Sequence, residues 1–198
     1  MAVLNDSTPV QKCEVPRADE THGLMQWFAL RDLKRPNAKL PAYIQLSSEF
    51  GLDVFTPLKW SVCISEGRRV RRQVPFISDL LFVRSSKEIL DPIIESIKTL
   101  QFRYLKGGKQ FQPVTVRDQE MDAFITAVKS ARSVKYYLPS EVTTSMIGKM
   151  VSIVGGPLDG YVGNLLSIKG LQKKRFLIGI SSLITASVEV DPEYIRFV

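Results

Sequence analysis

Histidine is almost absent from this chain. The single one, His22, sits among polar residues near the start, which argues against a catalytic dyad or a histidine-based metal site. Only two cysteines occur, Cys13 and Cys63, far apart and without a CxxC spacing. Zinc is therefore not expected, and two unpaired thiols in a reducing compartment are. No glycine loop of the kind that cradles phosphate is present, and the acids are scattered, which argues against an enzyme and against any cofactor. No run approaches the roughly 18 apolar residues that a membrane span needs, and no charged-then-apolar signal pattern opens the chain. A soluble, cytoplasmic protein without membrane contact is expected, working as a monomer.

What the chain has in excess is positive charge. Its 198 residues carry 27 Lys+Arg against 20 Asp+Glu, a net charge of +7. The excess is uneven: Leu24 to Arg132 holds 18 bases and 11 acids, the leader before it 2 and 4, and the stretch after it 7 and 5. Such a balance suits work beside nucleic acid or an acidic protein face. With 44% hydrophobic residues the length supports one large domain or two small ones.

Residues 1–23 lack hydrophobic periodicity and read as a mobile leader. Met25 to Leu30 begins an aromatic strand, and from Asn37 Leu40, Tyr43, Ile44, Leu46 and Phe50 recur at helical spacing until Gly51. Asp53 to Pro57 predicts a short strand, and Trp60 to Ile64 a hairpin strand returning as Arg68 to Val74 after a turn at Ser65-Glu66-Gly67. Leu80 to Val83 is a continuous apolar run, suited to the middle of a sheet. Ile89, Leu90, Ile93, Ile94 and Ile97 mark a second helix, with Pro92 tolerable only near its first turn. A hairpin about Gly107-Gly108 and a last helix capped by Asp118 and carrying Met121, Phe124, Ile125 and Val128 complete an α+β layer over residues 24–132.

Residues 133–146 lose periodicity and read as a linker. From 147 to 198 the texture is all β. Several short strands in about fifty residues predict a small barrel, because closing a sheet removes its edges.

Two stretches carry a resemblance. Gly148 to Leu165, with its strand, its Gly155-Gly156-Pro157-Leu158-Asp159-Gly160 turn and Gly163 before the next strand, resembles a KOW motif, in which Gly156, Pro157, Gly160 and Gly163 make the turn. Trp27-Phe28-Ala29-Leu30, Phe55-Thr56-Pro57, Val74-Pro75-Phe76-Ile77 into Leu80-Leu81-Phe82-Val83, and Gln112-Pro113-Val114-Thr115-Val116 resemble, in order, the N-terminal domain of the NusG transcription elongation factors. The resemblance runs from about Met25 to Val198. It implies an α/β sandwich followed by an SH3-like KOW barrel. Leu183-Ile184-Thr185-Ala186 stands where housekeeping NusG has a Gly-Arg-containing loop, so the chain resembles a specialised paralogue of the UpxY capsule-locus or RfaH type.

The resemblance implies a factor that docks on the clamp helices of the largest RNA polymerase subunit and acts as a processive antiterminator or anti-pausing regulator of selected operons. The docking patch would be Phe76, Ile77, Leu80 and Phe82, with Tyr104. Lys34, Arg35, Lys39 and Lys98, together with the run Arg68, Arg69, Arg71 and Arg72, are candidates to meet the non-template DNA strand or nascent RNA. The KOW domain would meet a ribosomal protein or a termination factor. Its many glycines and β-branched residues make a helical alternative costly, at about 1 kcal/mol per interior glycine. The rival reading is a KOW-containing RNA-binding or ribosome-associated protein.

Overall fold

The computed structural model describes residues 23–34, 38, 40–65, 67–105, 112–168, 170, 173–180 and 182–198. The expected leader, Cys13 and His22, and the Gly107-Gly108 turn lie outside the described residues.

The first half comprises β1 (Gln26–Asp32), α1 (Ala42–Phe50), β2 (Asp53–Phe55), β3 (Leu58–Ser65), β4 (Arg68–Pro75), β5 (Leu81–Ser85), α2 (Lys87–Ser96), β6 (Leu100–Phe102), β7 (Thr115–Val116) and α3 (Asp118–Ser130). An antiparallel sheet runs in the order β2-β5-β1-β6, with β7 following β6 along the same edge of β1. The apolar runs of β1 and β5 are interior because both faces are covered. Phe28, Leu30, Leu81 and Val83 point to a core shared with Leu46 of α1 and Leu90 and Ile93 of α2. Trp27, Ala29, Leu80 and Phe82 point the other way, to Met121 and Phe124 of α3. Period-two alternation thus splits two strands between two cores.

Helix boundaries differ from the sequence expectation for local reasons. α1 starts at Ala42 rather than near Asn37, because Pro41 precedes it and the Asp32 carboxylate of β1 accepts the Ala42 N–H at 2.9 Å. Gly51, at φ 65°, ends it in the left-handed region as its position predicts. Pro92 lies inside α2 rather than in its first turn, on an exposed face where water can serve the carbonyl left without a donor. Arg117, not Asp118, is the N-cap of α3; Asp118 lies in the first turn and pairs with Arg84 at 3.3 Å.

The second half comprises β8 (Val134–Tyr137), β9 (Ile147–Ile153), β10 (Val162–Leu166), β11 (Arg175–Ile180), β12 (Ile184–Glu189) and β13 (Ile195–Phe197). They pair antiparallel in the order β13-β9-β10-β11-β12-β8. Among the described residues no ladder joins β8 to β13, so this is an open six-stranded sheet and not a closed barrel. The extra strand comes from the segment expected to be a linker: β8 pairs with β12 from Val134↔Val188 to Tyr137↔Thr185. Arg175, buried in β11, fastens the start of that strand, donating to the Ser133 carbonyl at 3.0 Å and to the Ser187 carbonyl and hydroxyl at 2.6 and 2.9 Å.

α3 joins the halves. Its Met121 and Phe124 sit in a cluster that also holds Tyr136, Ile180, Ile184 and Ala186 of the second sheet. One turn on, Ala127 enters the core of that sheet beside Phe176 and Val188. A continuous apolar interface therefore holds the two sheets together, driven by the same area burial that forms a domain core.

Candidate functional site

The turn after β4 carries the residues expected to dock. The Phe76 N–H donates to the Pro57 carbonyl at 2.7 Å, and a tight turn closes as Leu80 N–H meets the Ile77 carbonyl at 3.2 Å. The buried Thr56 hydroxyl donates to the Leu80 carbonyl at 2.9 Å, tying the turn to β2. Phe76 and Ile77 are half-buried on the turn, while Leu80 and Phe82 are inside the core beneath it. The structure brings these four into one cluster. Tyr104 stands apart and exposed, its ring 6.3 Å from that of Phe102 in the other core.

This patch is partly covered, with Phe76 and Tyr136 both on the wall of a groove. The Phe76 ring lies 5.4 Å from that of Tyr136 of β8, and Lys59 Nζ sits 5.1 Å from the Phe76 centroid. Burial pushes the Tyr136 phenol up to about 12, so it stays neutral against the apolar cluster. Ile178 and Leu183 of the second sheet pack on the same cluster.

The basic candidates fall into separate places. Arg68, Arg69, Arg71 and Arg72 are all exposed on β4. Pairing with β3 sets Arg69 opposite Ile64 and Arg71 opposite Val62, so one face of the hairpin alternates arginine with the exposed Trp60, Val62 and Ile64. The Arg71 guanidinium lies 4.9 Å from the Trp60 ring. Arg72, on the opposite face, shares a cavity of about 430 Å³ with Lys34, Asp32, Tyr43 and Cys63, which carries a free thiol. Lys34 is engaged there, donating to Gln45 Oε1 at 2.7 Å and to the Leu40 carbonyl at 3.0 Å. Lys98 is exposed after α2, and Arg35 and Lys39 lie outside the described residues.

The glycine turn of the second sheet has the expected conformation. Gly156 and Gly160 have φ of 70° and 82°, flanking a 3-10 turn through Pro157, and the Gly155 N–H donates to Asp159 Oδ1 at 2.6 Å. At Gly163 the reason for glycine is space: a Cβ would stand 2.7 Å from Cζ of the buried Phe176.

Residues 25–125, just over half of the chain, match the family described as NusG, transcription termination factor nusG. The chain belongs to the NusG family. Within this NusG-family chain the matched stretch contains the core around Phe28 and Leu90 and the first half's share of the mixed cluster, and it ends inside α3, so the second sheet lies beyond it. A solved structure titled "Domain interaction in Thermotoga maritima NusG" superimposes on 88% of this chain and 98% of that one, at 18% identity and a TM-score of 0.45. No curated protein matches the chain. Among the described residues no helix is long and apolar enough to cross a membrane, and no three His, Cys, Asp or Glu side chains gather as metal ligands.

Sequence reasoning missed Trp60, Lys59, Lys129, Arg132 and Lys135 as possible contacts. The last three are spaced every third residue through the end of α3 and into β8. That spacing was legible, but their common side depends on β8 joining the second sheet.

Proposed function

We propose that this chain is a transcription elongation factor that binds RNA polymerase through its first half and acts as an antiterminating or anti-pausing regulator of selected operons. Membership of the NusG family over residues 25–125 is the observation that carries the reading. The docking surface is the turn bearing Phe76 and Ile77, supported from beneath by Leu80 and Phe82, with the clamp helices of the largest polymerase subunit as partner. A half-buried aromatic and an aliphatic residue on a hydrogen-bonded turn suit the centre of an interface. The reading is a binding mechanism without catalysis, with the second sheet acting as a KOW-type module.

A specialised paralogue of the UpxY or RfaH type fits the second sheet. In the segment Leu183-Ile184-Thr185-Ala186, Ile184 and Ala186 are buried against the first half. They are not available to a ribosomal protein or termination factor while the halves are packed. Docking at Phe76 exchanges its contact with Tyr136 for one with polymerase, so recruitment includes separation of the two sheets.

The test is capture of core RNA polymerase by the wild-type protein and by Phe76→Ala/Ile77→Ala, with folding of both verified by circular dichroism. Polymerase retained by wild type and lost by the double variant is expected. Equal retention removes the site, and no retention by either removes the polymerase reading in favour of an RNA-binding one.

A further inference from the structure

Between the β3–β4 hairpin and the junction of α3 with β8 runs a groove of about 920 Å³. Lys59 and Trp60 line it from the hairpin; Lys129, Arg132 and Lys135 line it from the junction. Among the described residues no carboxylate lines it. All four cations are exposed, and none makes an ion pair within 4.0 Å among the described residues. Of the four, Arg132 acts on Glu189, whose carboxyl is held below its ordinary range first by a hydrogen bond from Lys173 and more weakly by Arg175 and Arg132.

An aromatic side chain stands among these charges. Trp60 is 58% exposed, although tryptophan is highly buried on average. The half-buried Tyr43 lines the same groove. Lys59 and Lys135 rest on the Phe76 and Tyr137 rings at 5.1 and 5.2 Å; cations without an ion pair among the described residues, beside an exposed planar ring, match a ligand that alternates negative charge with flat apolar surface. Single-stranded nucleic acid has that chemistry: phosphates meet lysine and arginine while unpaired bases stack on aromatic rings. Trp60 has Arg71 4.9 Å from its ring and yet keeps more than half of its surface exposed, apolar surface for which an acidic peptide has no matching group.

We propose that this groove binds single-stranded nucleic acid across both halves of the molecule. The proposal deepens the transcription reading and rests on it for the supply of unpaired strands. Its further consequence is coupling. Lys135 belongs to β8, whose Tyr136 covers Phe76, whereas Lys59 and Trp60 belong to the first half. A strand touching both walls binds the packed arrangement more tightly than the separated one. By reciprocity it holds Phe76 covered, and separation of the sheets releases the strand.

The test measures binding of fluorescently labelled oligo-dT and oligo-rU of about twelve nucleotides, within the usual span of such sites, to the full chain by anisotropy. The variants are Lys129→Glu/Arg132→Glu in the groove, Lys149→Glu/Lys174→Glu outside its lining, Trp60→Ala and Trp60→Phe. The groove double variant is expected to weaken binding at least about tenfold and to flatten the salt dependence by about 1.4 in slope, or about 0.7 per lost phosphate contact. The outer double variant changes it far less. Trp60→Ala weakens binding and Trp60→Phe restores most of it. Oligonucleotide is also expected to slow hydrogen exchange at the Phe76 and Ile77 amides. Binding by only one of the two oligonucleotides identifies the sugar and supports the site. Equal losses in both double variants, equal affinity for duplex, or equally effective displacement by poly-glutamate overturns the proposal, as does unchanged exchange for the coupling. Polymerase capture is scored separately, so either reading can fail without the other.

Discussion

At the scale of single residues, two positions show how local chemistry is set by distant neighbours. Gly163 reads in the sequence as a turn glycine, yet its φ is not in the left-handed region and the constraint is the Phe176 ring. Gly163→Ala is expected to destabilise the protein by about 1–3 kcal/mol, the usual cost of overpacking a filled core; urea unfolding checks it, and an unchanged midpoint would refute it. Tyr136 gives a pH signature. Its phenol titrates at about 12 when folded, against about 10 for a free tyrosine. The folded state therefore holds this proton more tightly, and its contribution is complete below about pH 10 and lost as pH rises towards 12. Tyr136→Phe should remove that part of the alkaline decline, as read from urea midpoints between pH 9 and 12. An identical decline in both proteins would locate its cause elsewhere.

At the scale of elements, the β3–β4 hairpin is the clearest case of a pattern without a core. Trp60, Val62 and Ile64 alternate like residues of a buried strand face, but their neighbours across the ladder are Gln73, Arg71 and Arg69 and nothing covers that face among the described residues. Val62→Thr/Ile64→Thr is thus expected to leave stability within about 0.5 kcal/mol of wild type, measured by urea unfolding. A larger loss would mean that the face is packed in solution. α3 shows the opposite. Its apolar stripe at Met121, Phe124 and Ala127 was readable as helical, but the division of that stripe between two cores was not. β8 was read as linker because Pro139, Ser140 and Thr143 to Ser145 follow it closely; four residues pairing with a preformed β12 need little propensity of their own.

At the scale of the whole molecule, the apolar contact between the halves governs access to the proposed docking turn. Leu183 is half-buried against the mixed cluster, and Leu183→Asp would place a charge there. The expected outcome is a folded protein in which the Phe76 and Ile77 amides exchange faster with solvent and more polymerase is captured; exchange and capture equal to wild type would show that the contact does not gate docking. The sequence by itself determined the order of most elements in the first half, the family, the positions of the glycine turns and the basic character of the hairpin. The family was legible from the resemblance of its motifs; the other features follow from local periodicity, backbone sterics and charge, which each segment carries alone. Only the tertiary structure decided that the second sheet is open and gains β8, that Phe76 lies under Tyr136, and that cations from two separate segments line one groove. Such features depend on which apolar faces meet across long sequence separations. Alternation and spacing define a face but do not name its partner.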